Sequence, residues 1–223
     1  MKLLCISNGH GEDVIACRIL SALGESHPSI ELFALPITGA GSTYHANGIP
    51  IIGPTQVMPS GGFINRDPKQ LARDVSQGLV ALTRSQLAAI KTWANANANA
   101  AILAVGDIVP QIFSHLSGLP YVFVGTAKSE YWLRDEQGKL AAQPSAKKLW
   151  SRLEGWSGSV YLPWERWLMA RPNCRTVFVR DALTATTLQA LGIRAHYAGN
   201  PMMDGLAPEG KLDGLLQHLT ATT

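Results

Sequence analysis

Two side chains that could transfer a proton stand at the ends of predicted strands. Asp107 follows the apolar run at residues 101–105, and His10 lies in a glycine-bearing turn at residues 7–13. Apolar surroundings raise the proton affinity of a carboxylate, so Asp107 suits a general base. Imidazole exchanges protons near neutral pH, which makes His10 a second candidate. The structural alternatives are a helix cap for Asp107 and a solvated loop position for His10.

The turn at residues 7–13 joins a strand to a helix and has the composition of a ligand-binding loop. Its glycines allow backbone amides to approach a ligand, and the amino end of the helix favours negative or strongly accepting groups. The turn lacks the third glycine of the dinucleotide fingerprint, and Glu12 and Asp13 would repel a pyrophosphate. A tight turn capped by Glu12 or Asp13 is the alternative. The predicted ligand-binding residues are Asn8, Gly9, Gly11, Glu12, Asp13, Gly39, Thr126 and Asn200.

Short apolar runs alternate with helical patterns along the chain, and this order predicts the architecture. It indicates an α/β three-layer sandwich with a mostly parallel, Rossmann-like sheet of six to seven strands and right-handed crossovers. The predicted strands are residues 2–7, 30–35, 51–53, 101–105, 121–124, 176–179 and 196–198, and the longest predicted helix is residues 68–94. Loops at the carboxyl edge of such a sheet would bring Asp107 close to the first turn.

Composition indicates one large domain with a packed core. Of the 223 residues, 46% are apolar and 16% are charged, which suits a buried parallel sheet. We expect a domain over residues 1–200 and a linker at residues 201–223 that leads into a second domain.

The three cysteines are odd in number and lie in apolar runs, so we expect no disulfide and a reducing compartment. We find no signal peptide and no apolar run long enough to span a bilayer, and therefore expect a cytoplasmic protein. Histidine spacing predicts no metal site.

Residues 128–171 interrupt the alternation of strands and helices. They hold five of the six tryptophans and eight basic against five acidic residues, an excess equal to the net charge of the whole chain, +3. Interleaved tryptophan and basic residues suit peripheral contact with an anionic membrane or a lipid acceptor. The structural alternative is an insertion packed by its tryptophans. No nucleic-acid-binding motif is present, and we expect no such partner. The predicted lipid contacts are Trp164, Trp167, Lys147 and Lys148, with Leu168 and Met169 on the same apolar turn.

Three blocks of the chain, residues 101–107, 121–132 and 176–206, resemble the amino-terminal half of lipid-A-disaccharide synthase and related proteins, which are glycosyltransferases of the two-domain GT-B type. The last block is the most similar. It has an Arg180-Asp181 turn, a helix, and the sequence Tyr-Ala-Gly-Asn-Pro-Met-Met-Asp at residues 197–204, where the synthase has Gly-His-Pro or a close variant before an aspartate. The chain departs from the family at His10 and at residues 111–113, which replace the synthase's Asp-Phe-Asn.

The resemblance implies the acceptor-binding half of an inverting, nucleotide-sugar-dependent glycosyltransferase. Asp107 falls where the family has its proposed catalytic base, and Asp13 falls where the first turn has an aspartate. The acceptor would be lipid-linked or amphipathic, and the donor, a UDP-linked sugar, would bind a second domain, with no other cofactor. The isolated chain would then be inactive. The alternatives are a sugar-nucleotide epimerase-like enzyme and a non-catalytic binding module.

Overall fold

The computed structural model of the chain describes residues 1–57, 75, 78–135, 137, 139 and 157–199. Strands and helices alternate within these ranges, as the apolar runs predict. The first half contains β1 (Lys2–Ser7), α1 (Gly11–Ser26), β2 (Glu31–Pro36), α2 (Ser42–Ala46) and α3 (Leu79–Ala96). The second half contains β3 (Ala101–Gly106), α4 (Ile108–Leu116), β4 (Tyr121–Gly125), a 3-10 helix (Glu130–Trp132), α5 (Pro163–Met169), β5 (Cys174–Val179), α6 (Ala182–Ala190) and β6 (Ala195–His196).

The six strands form one parallel sheet in the order β2-β1-β3-β4-β5-β6. The chain moves outward from β1 to β2 and then returns to add β3 on the other side of β1. The direction of winding therefore reverses between β1 and β3, where Ser7 pairs with Val105. Open α/β sheets bind ligands in the crevice outside the carboxyl ends of the strands at such a reversal.

Apolar side chains fill two layers, one on each face of the sheet, because successive residues of a strand point to opposite faces. Leu4 and Ile6 belong to the layer that packs against α3, α4, α5 and α6. Leu3 and Cys5 belong to the layer that packs against α1 and α2. The predicted α/β three-layer sandwich with a Rossmann-like parallel sheet is thereby confirmed.

Two short elements differ from the predicted pattern. The expected strand at residues 51–53 is reduced to a single parallel bridge between Ala34 and Ile51, since the flanking Pro50 and Pro54 have no amide hydrogen with which to extend the ladder. Helix α2 is absent from the predicted elements, and it places the fully buried Tyr44 against the sheet. The first part of the predicted helix at residues 68–94 lies outside the described ranges, and the described part begins after Gly78.

All three cysteines are free and buried, which confirms the prediction that they form no disulfide. Burial raises the pKa of the Cys17 thiol to about 11 and that of the Cys174 thiol to about 11. Burial likewise raises the pKa of Cys5. These thiols are therefore protonated at neutral pH and serve as packing residues.

Candidate functional site

The turn after β1 packs directly on the loop after β2. The Ile37 amide donates to the Ser7 carbonyl at 2.8 Å, and Thr38 Oγ1 donates to the Asn8 carbonyl at 2.6 Å. Gly9 has φ 122°, and a Cβ there would lie 2.5 Å from Thr38 Oγ1 and 2.6 Å from the Thr38 carbonyl oxygen. Only glycine fits this position. The sequence predicts that a ligand approaches the backbone at Gly9. In the structure, the loop after β2 lies against Gly9 instead.

His10 holds the turn in an uncommon backbone conformation. Its φ is 49° and its ψ is −110°, a combination that residues with a side chain rarely adopt. The His10 ring is exposed and makes no capping hydrogen bond to α1, and the neighbouring Gly11 is exposed with open space around it. Backbone conformations of this kind concentrate at functional sites. The turn therefore presents an imidazole and the amino end of α1 to solvent.

A chain of buried polar groups runs beneath the turn. Ser7 Oγ donates to Asp13 Oδ1 at 2.5 Å and lies 2.6 Å from the Tyr44 hydroxyl, which lies 3.8 Å from Cys5 Sγ. Burial raises the pKa of Asp13 from its ordinary 3.8 to about 6, against the opposing effects of the Ser7 hydrogen bond and the nearby positive charge of His10. Asp13 is a ligand-binding residue in the sequence-based prediction. In the structure its carboxyl is enclosed and contacts Ser7.

The side chain of Asn8 connects the first turn to β3. Gly106 has φ 132°, and a Cβ there would lie 2.9 Å from Asn8 Cγ, so the amide group rests on the Gly106 backbone. Asn8 Oδ1 is buried and has no hydrogen-bond partner in the part of the chain that the structure describes. Because Gly106 immediately precedes Asp107, this contact brings both predicted proton-transfer residues to one edge of the sheet.

Asp107 is exposed at the carboxyl end of β3, where it caps α4. Asp107 Oδ1 accepts a hydrogen bond from the Val109 amide at 2.9 Å. The helix-cap alternative is therefore realised, and the apolar enclosure expected around the carboxylate is absent. A cap uses one carboxylate oxygen. Because Asp107 is exposed, its other oxygen, Oδ2, is accessible to solvent and to a ligand.

The end of β4 completes the edge. The Thr126 amide donates to the Gly106 carbonyl at 3.4 Å, and Thr126 Oγ1 donates to Glu12 Oε1 at 3.4 Å. Of the other predicted ligand-binding residues, Gly39 is buried in the second loop, where its amide donates to the Gln56 carbonyl at 3.0 Å. Asn200 lies outside the described residues. The structure thus gathers Asn8, Glu12, Asp107 and Thr126 with the exposed His10.

The predicted lipid-contact residues fall into three groups. Trp164 is 46% exposed and Trp167 is 53% exposed on α5, and Arg171 stacks over the Trp167 ring at 4.6 Å. Lys147 and Lys148 lie outside the described residues. The prediction is wrong for Leu168 and Met169, which face the core with 6% and 2% exposure because α5 packs that side against the sheet and α4.

Part of the charge in this region has a structural role. Lys128 Nζ lies 2.6 Å from Glu165 Oε2 and donates to the Val160 carbonyl at 3.0 Å. Arg134 Nε donates to the fully buried Glu130 at 3.0 Å. Buried carboxylates need such partners, so these two cations hold parts of the segment to one another and are not part of a free basic surface.

Within the described ranges, no group of three or more His, Cys, Asp or Glu side chains is arranged to hold a metal ion. The described helices include none that is long and apolar enough to cross a membrane. No protein-family model matches the chain, and no curated protein is significantly similar to it in sequence.

Proposed function

We propose that the carboxyl edge of the sheet binds the acceptor of a nucleotide-sugar-dependent glycosyl transfer, and that this chain forms the acceptor side of an inverting glycosyltransferase. The observation that carries the proposal is the contact between Asn8 and Gly106. It joins the His10 turn to the Asp107 strand end at the reversal point of the sheet, where ligands of this architecture bind. The donor, a UDP-linked sugar, would bind a separate α/β unit.

The exposed groups at this edge have the chemistry that an acceptor hydroxyl requires. In the proposed reaction, Asp107 Oδ2 or the His10 ring takes the proton as the acceptor oxygen attacks the anomeric carbon. The bond between that carbon and the diphosphate breaks, and the nucleoside diphosphate leaves with the electron pair. The Asn8 side chain, packed on Gly106, keeps the His10 turn beside the end of β3, where both candidate bases can reach one acceptor.

A lipid-linked or amphipathic acceptor is supported by the surface of α5. Trp164 and Trp167 are exposed on a helix that begins near the carboxyl edge, where Glu165 binds Lys128. Tryptophan at a membrane surface places its ring at headgroup depth. Trp164 lies in the first turn of α5, so peripheral contact of that turn with a membrane would bring a lipid-linked sugar toward the carboxyl edge of the sheet.

Titration of the chain with two ligands tests this assignment. Octyl glucoside, below its micelle concentration, represents the acceptor, and UDP-glucose represents the donor. We expect octyl glucoside to shift the backbone amide resonances of Gly9, Gly11 and Thr126 saturably, and UDP-glucose to leave them unchanged. Micromolar binding of UDP-glucose would contradict an acceptor-side role and favour the epimerase-like alternative. Absence of octyl glucoside binding at this edge would contradict the proposed site.

The two candidate bases are compared with variants that preserve the fold. Asp107→Asn retains a capping oxygen for α4 but loses the charge, so we expect octyl glucoside to bind roughly three- to tenfold more weakly, the difference between charged and neutral hydrogen bonds. Asp135→Asn is the matched control because Asp135 is also exposed and accepts hydrogen bonds from nearby amides. Turnover can be measured when the donor-binding unit is added. The variant that removes the base, either Asp107→Asn or His10→Asn, should then lower turnover far more than it lowers octyl glucoside binding.

A further inference from the structure

Arg180 brings to the carboxyl edge of the sheet a positive charge that the proposed reaction does not use. It directly follows β5, just as Asp107 follows β3 and Thr126 follows β4. Its side chain is half-buried, and Nη1 donates to the Ala127 carbonyl at 3.4 Å. Among the residues that the structure describes, no carboxylate forms an ion pair with Arg180. The guanidinium is therefore available to a ligand.

The adjacent carboxyl group, that of Asp181, is committed to α6. Asp181 Oδ1 accepts a hydrogen bond from the Thr184 amide at 2.7 Å and caps the helix. Arg180 lies on the α1 side of the sheet, where it lines a cavity of about 230 Å³ together with Ile15 and Phe178. Successive residues of an extended chain point to opposite faces. The cap on α6 therefore leaves the charge of Arg180 on the side of the proposed acceptor site.

Thr126 joins Arg180 to that site. It lines the same cavity as Arg180, and its hydroxyl donates to Glu12 Oε1 at 3.4 Å. Glu12 and Arg180 thus both lie next to the Thr126–Ala127 segment, present opposite charges, and form no ion pair with each other. A carboxylate accepts hydrogen bonds from hydroxyls, whereas a guanidinium binds carboxylate or phosphate through a planar fork of N–H donors. A ligand with both kinds of group matches this pair.

The spacing of the strands suits one sugar residue with a charged substituent. β3, β4 and β5 are consecutive in the sheet, and neighbouring strands lie about 4.8 Å apart, so the strands that precede Asp107 and Arg180 are about 10 Å apart. A monosaccharide spans much of that distance, and the long side chain of Arg180 covers the remainder. One ligand can therefore reach both residues.

We infer that Arg180 binds a negatively charged group, a carboxylate or a phosphate, on the acceptor, and that the edge selects an acidic sugar over a neutral one. Asp107 or His10 takes the proton of the attacking hydroxyl, Glu12 accepts a neighbouring hydroxyl, and Arg180 holds the charged substituent. Arg180 is thus a residue that determines specificity. This role rests on the proposed acceptor site, and the experiment below separates failure of the role from failure of the site.

Two detergents that differ at one carbon measure the preference for charge. Octyl glucuronide has a carboxylate where octyl glucoside has a hydroxymethyl group. Both are titrated into the full chain below their micelle concentrations while the amide resonances of Gly9, Gly11 and Thr126 are followed. We expect octyl glucuronide to bind roughly tenfold more tightly at low salt, as one charged hydrogen bond typically provides, and the difference to shrink as salt screens the charge.

The outcomes separate the two assignments. Equal affinities for the two detergents would overturn the selection of an acidic acceptor and leave the acceptor site intact. Absence of binding by either detergent would overturn both. Glucose 6-phosphate, compared with glucose, repeats the measurement with a phosphate at the same carbon. A larger gain for the phosphate or for the carboxylate identifies the preferred anion, and no gain for either overturns the role of Arg180.

Substitutions at the two ends of β5 assign the preference to Arg180. Arg180→Gln removes the charge at the carboxyl edge, and the control Arg175→Gln removes an exposed charge near the amino edge. We expect Arg180→Gln to bind the two detergents within about twofold of each other, and Arg175→Gln to keep the roughly tenfold difference. Arg180→Lys retains the charge without the planar fork and should keep a difference of about threefold. Octyl glucoside binding reports whether each variant keeps the folded edge. A preference as large as that of the native chain in both Arg180 variants would overturn the role of Arg180.

Discussion

Ser7 and Asp13 are joined by a hydrogen bond of 2.5 Å that connects the last residue of β1 to the first turn of α1. The Tyr44 hydroxyl, 2.6 Å from Ser7 Oγ, adds α2 to the same contact. Three elements are thus held together by side chains that solvent does not reach. The exposed His10 turn is built on this buried support, so its geometry depends on groups that do not themselves touch a ligand.

Asp13→Asn should remove the pH dependence that the buried carboxyl gives to stability. The pKa of Asp13 rises on folding from 3.8 to about 6, so the folded chain binds this proton more tightly than the unfolded chain. That stabilisation is fully present below pH 3.8 and is lost as the pH rises through about 6. Asn does not ionise. Relative to the native chain, the variant should therefore gain about 3 kcal/mol in free energy of unfolding between pH 3.5 and pH 8.

Urea titrations at the two pH values measure the Asp13 effect. Asp135→Asn is the control, since Asp135 is exposed and its replacement should give the same difference from the native chain at both pH values. A change for Asp13→Asn that is independent of pH would show that the carboxyl is not held in the protonated form by burial.

Tyr44→Phe should destabilise the fold without creating a cavity. The ring fills the same volume, but Ser7 Oγ loses its neighbour at 2.6 Å, and the cost expected for a buried hydrogen bond is about 1 to 2 kcal/mol. Tyr131→Phe provides the comparison, because Tyr131 is 52% exposed and should change stability by less than about 0.5 kcal/mol. Thermal or urea unfolding of the two variants gives both values, and equal stabilities would rule out a contribution from the Tyr44 hydroxyl.

Gly9→Ala should be much more damaging than an alanine at another glycine with positive φ. Gly48 has φ 66° and open space around it, so Gly48→Ala incurs backbone strain alone, about 1 kcal/mol. Gly9→Ala adds a Cβ 2.6 Å from the Thr38 carbonyl oxygen, which forces the first turn away from the second loop. We expect a loss above about 3 kcal/mol. A loss no larger than that of Gly48→Ala would mean that the two loops separate at little cost.

The architecture could be predicted from the sequence because the strands are short apolar runs with clear ends. β1 occupies the predicted residues 2–7, and β3 ends beside Asp107 as expected. Such runs carry their own signal, since burial on both faces requires continuous apolar sequence. α2 gave no comparable signal, because five residues are too few to establish a helical period.

The site was harder to predict because its geometry depends on contacts between distant loops. A glycine at position 9 allows either a ligand or another loop to lie against the backbone. Only the position of Thr38 in the folded chain shows that it is a loop. One feature of the sequence indicates the hydrogen bond of Ser7: a hydroxyl at the end of a strand is followed by an acidic residue in the first turn of the next helix. Nothing in the sequence indicated that Tyr44, 37 positions away, would complete that contact.

Trp164 and Trp167 provide the final prediction, which concerns peripheral membrane contact through α5. Both rings are exposed, and Arg171 lies over Trp167, so the helix offers an apolar surface beside a positive charge. We expect the chain to co-sediment with anionic phosphatidylglycerol vesicles at low salt and to dissociate as salt screens the charge. Replacing both tryptophans with alanine should lower the partition coefficient by at least about tenfold. Tyr197→Ala, which removes an aromatic ring of 48% exposure outside this region, should not. Equal binding to neutral vesicles, or unchanged binding of the double variant, would leave the two tryptophans as surface residues of an internally packed segment.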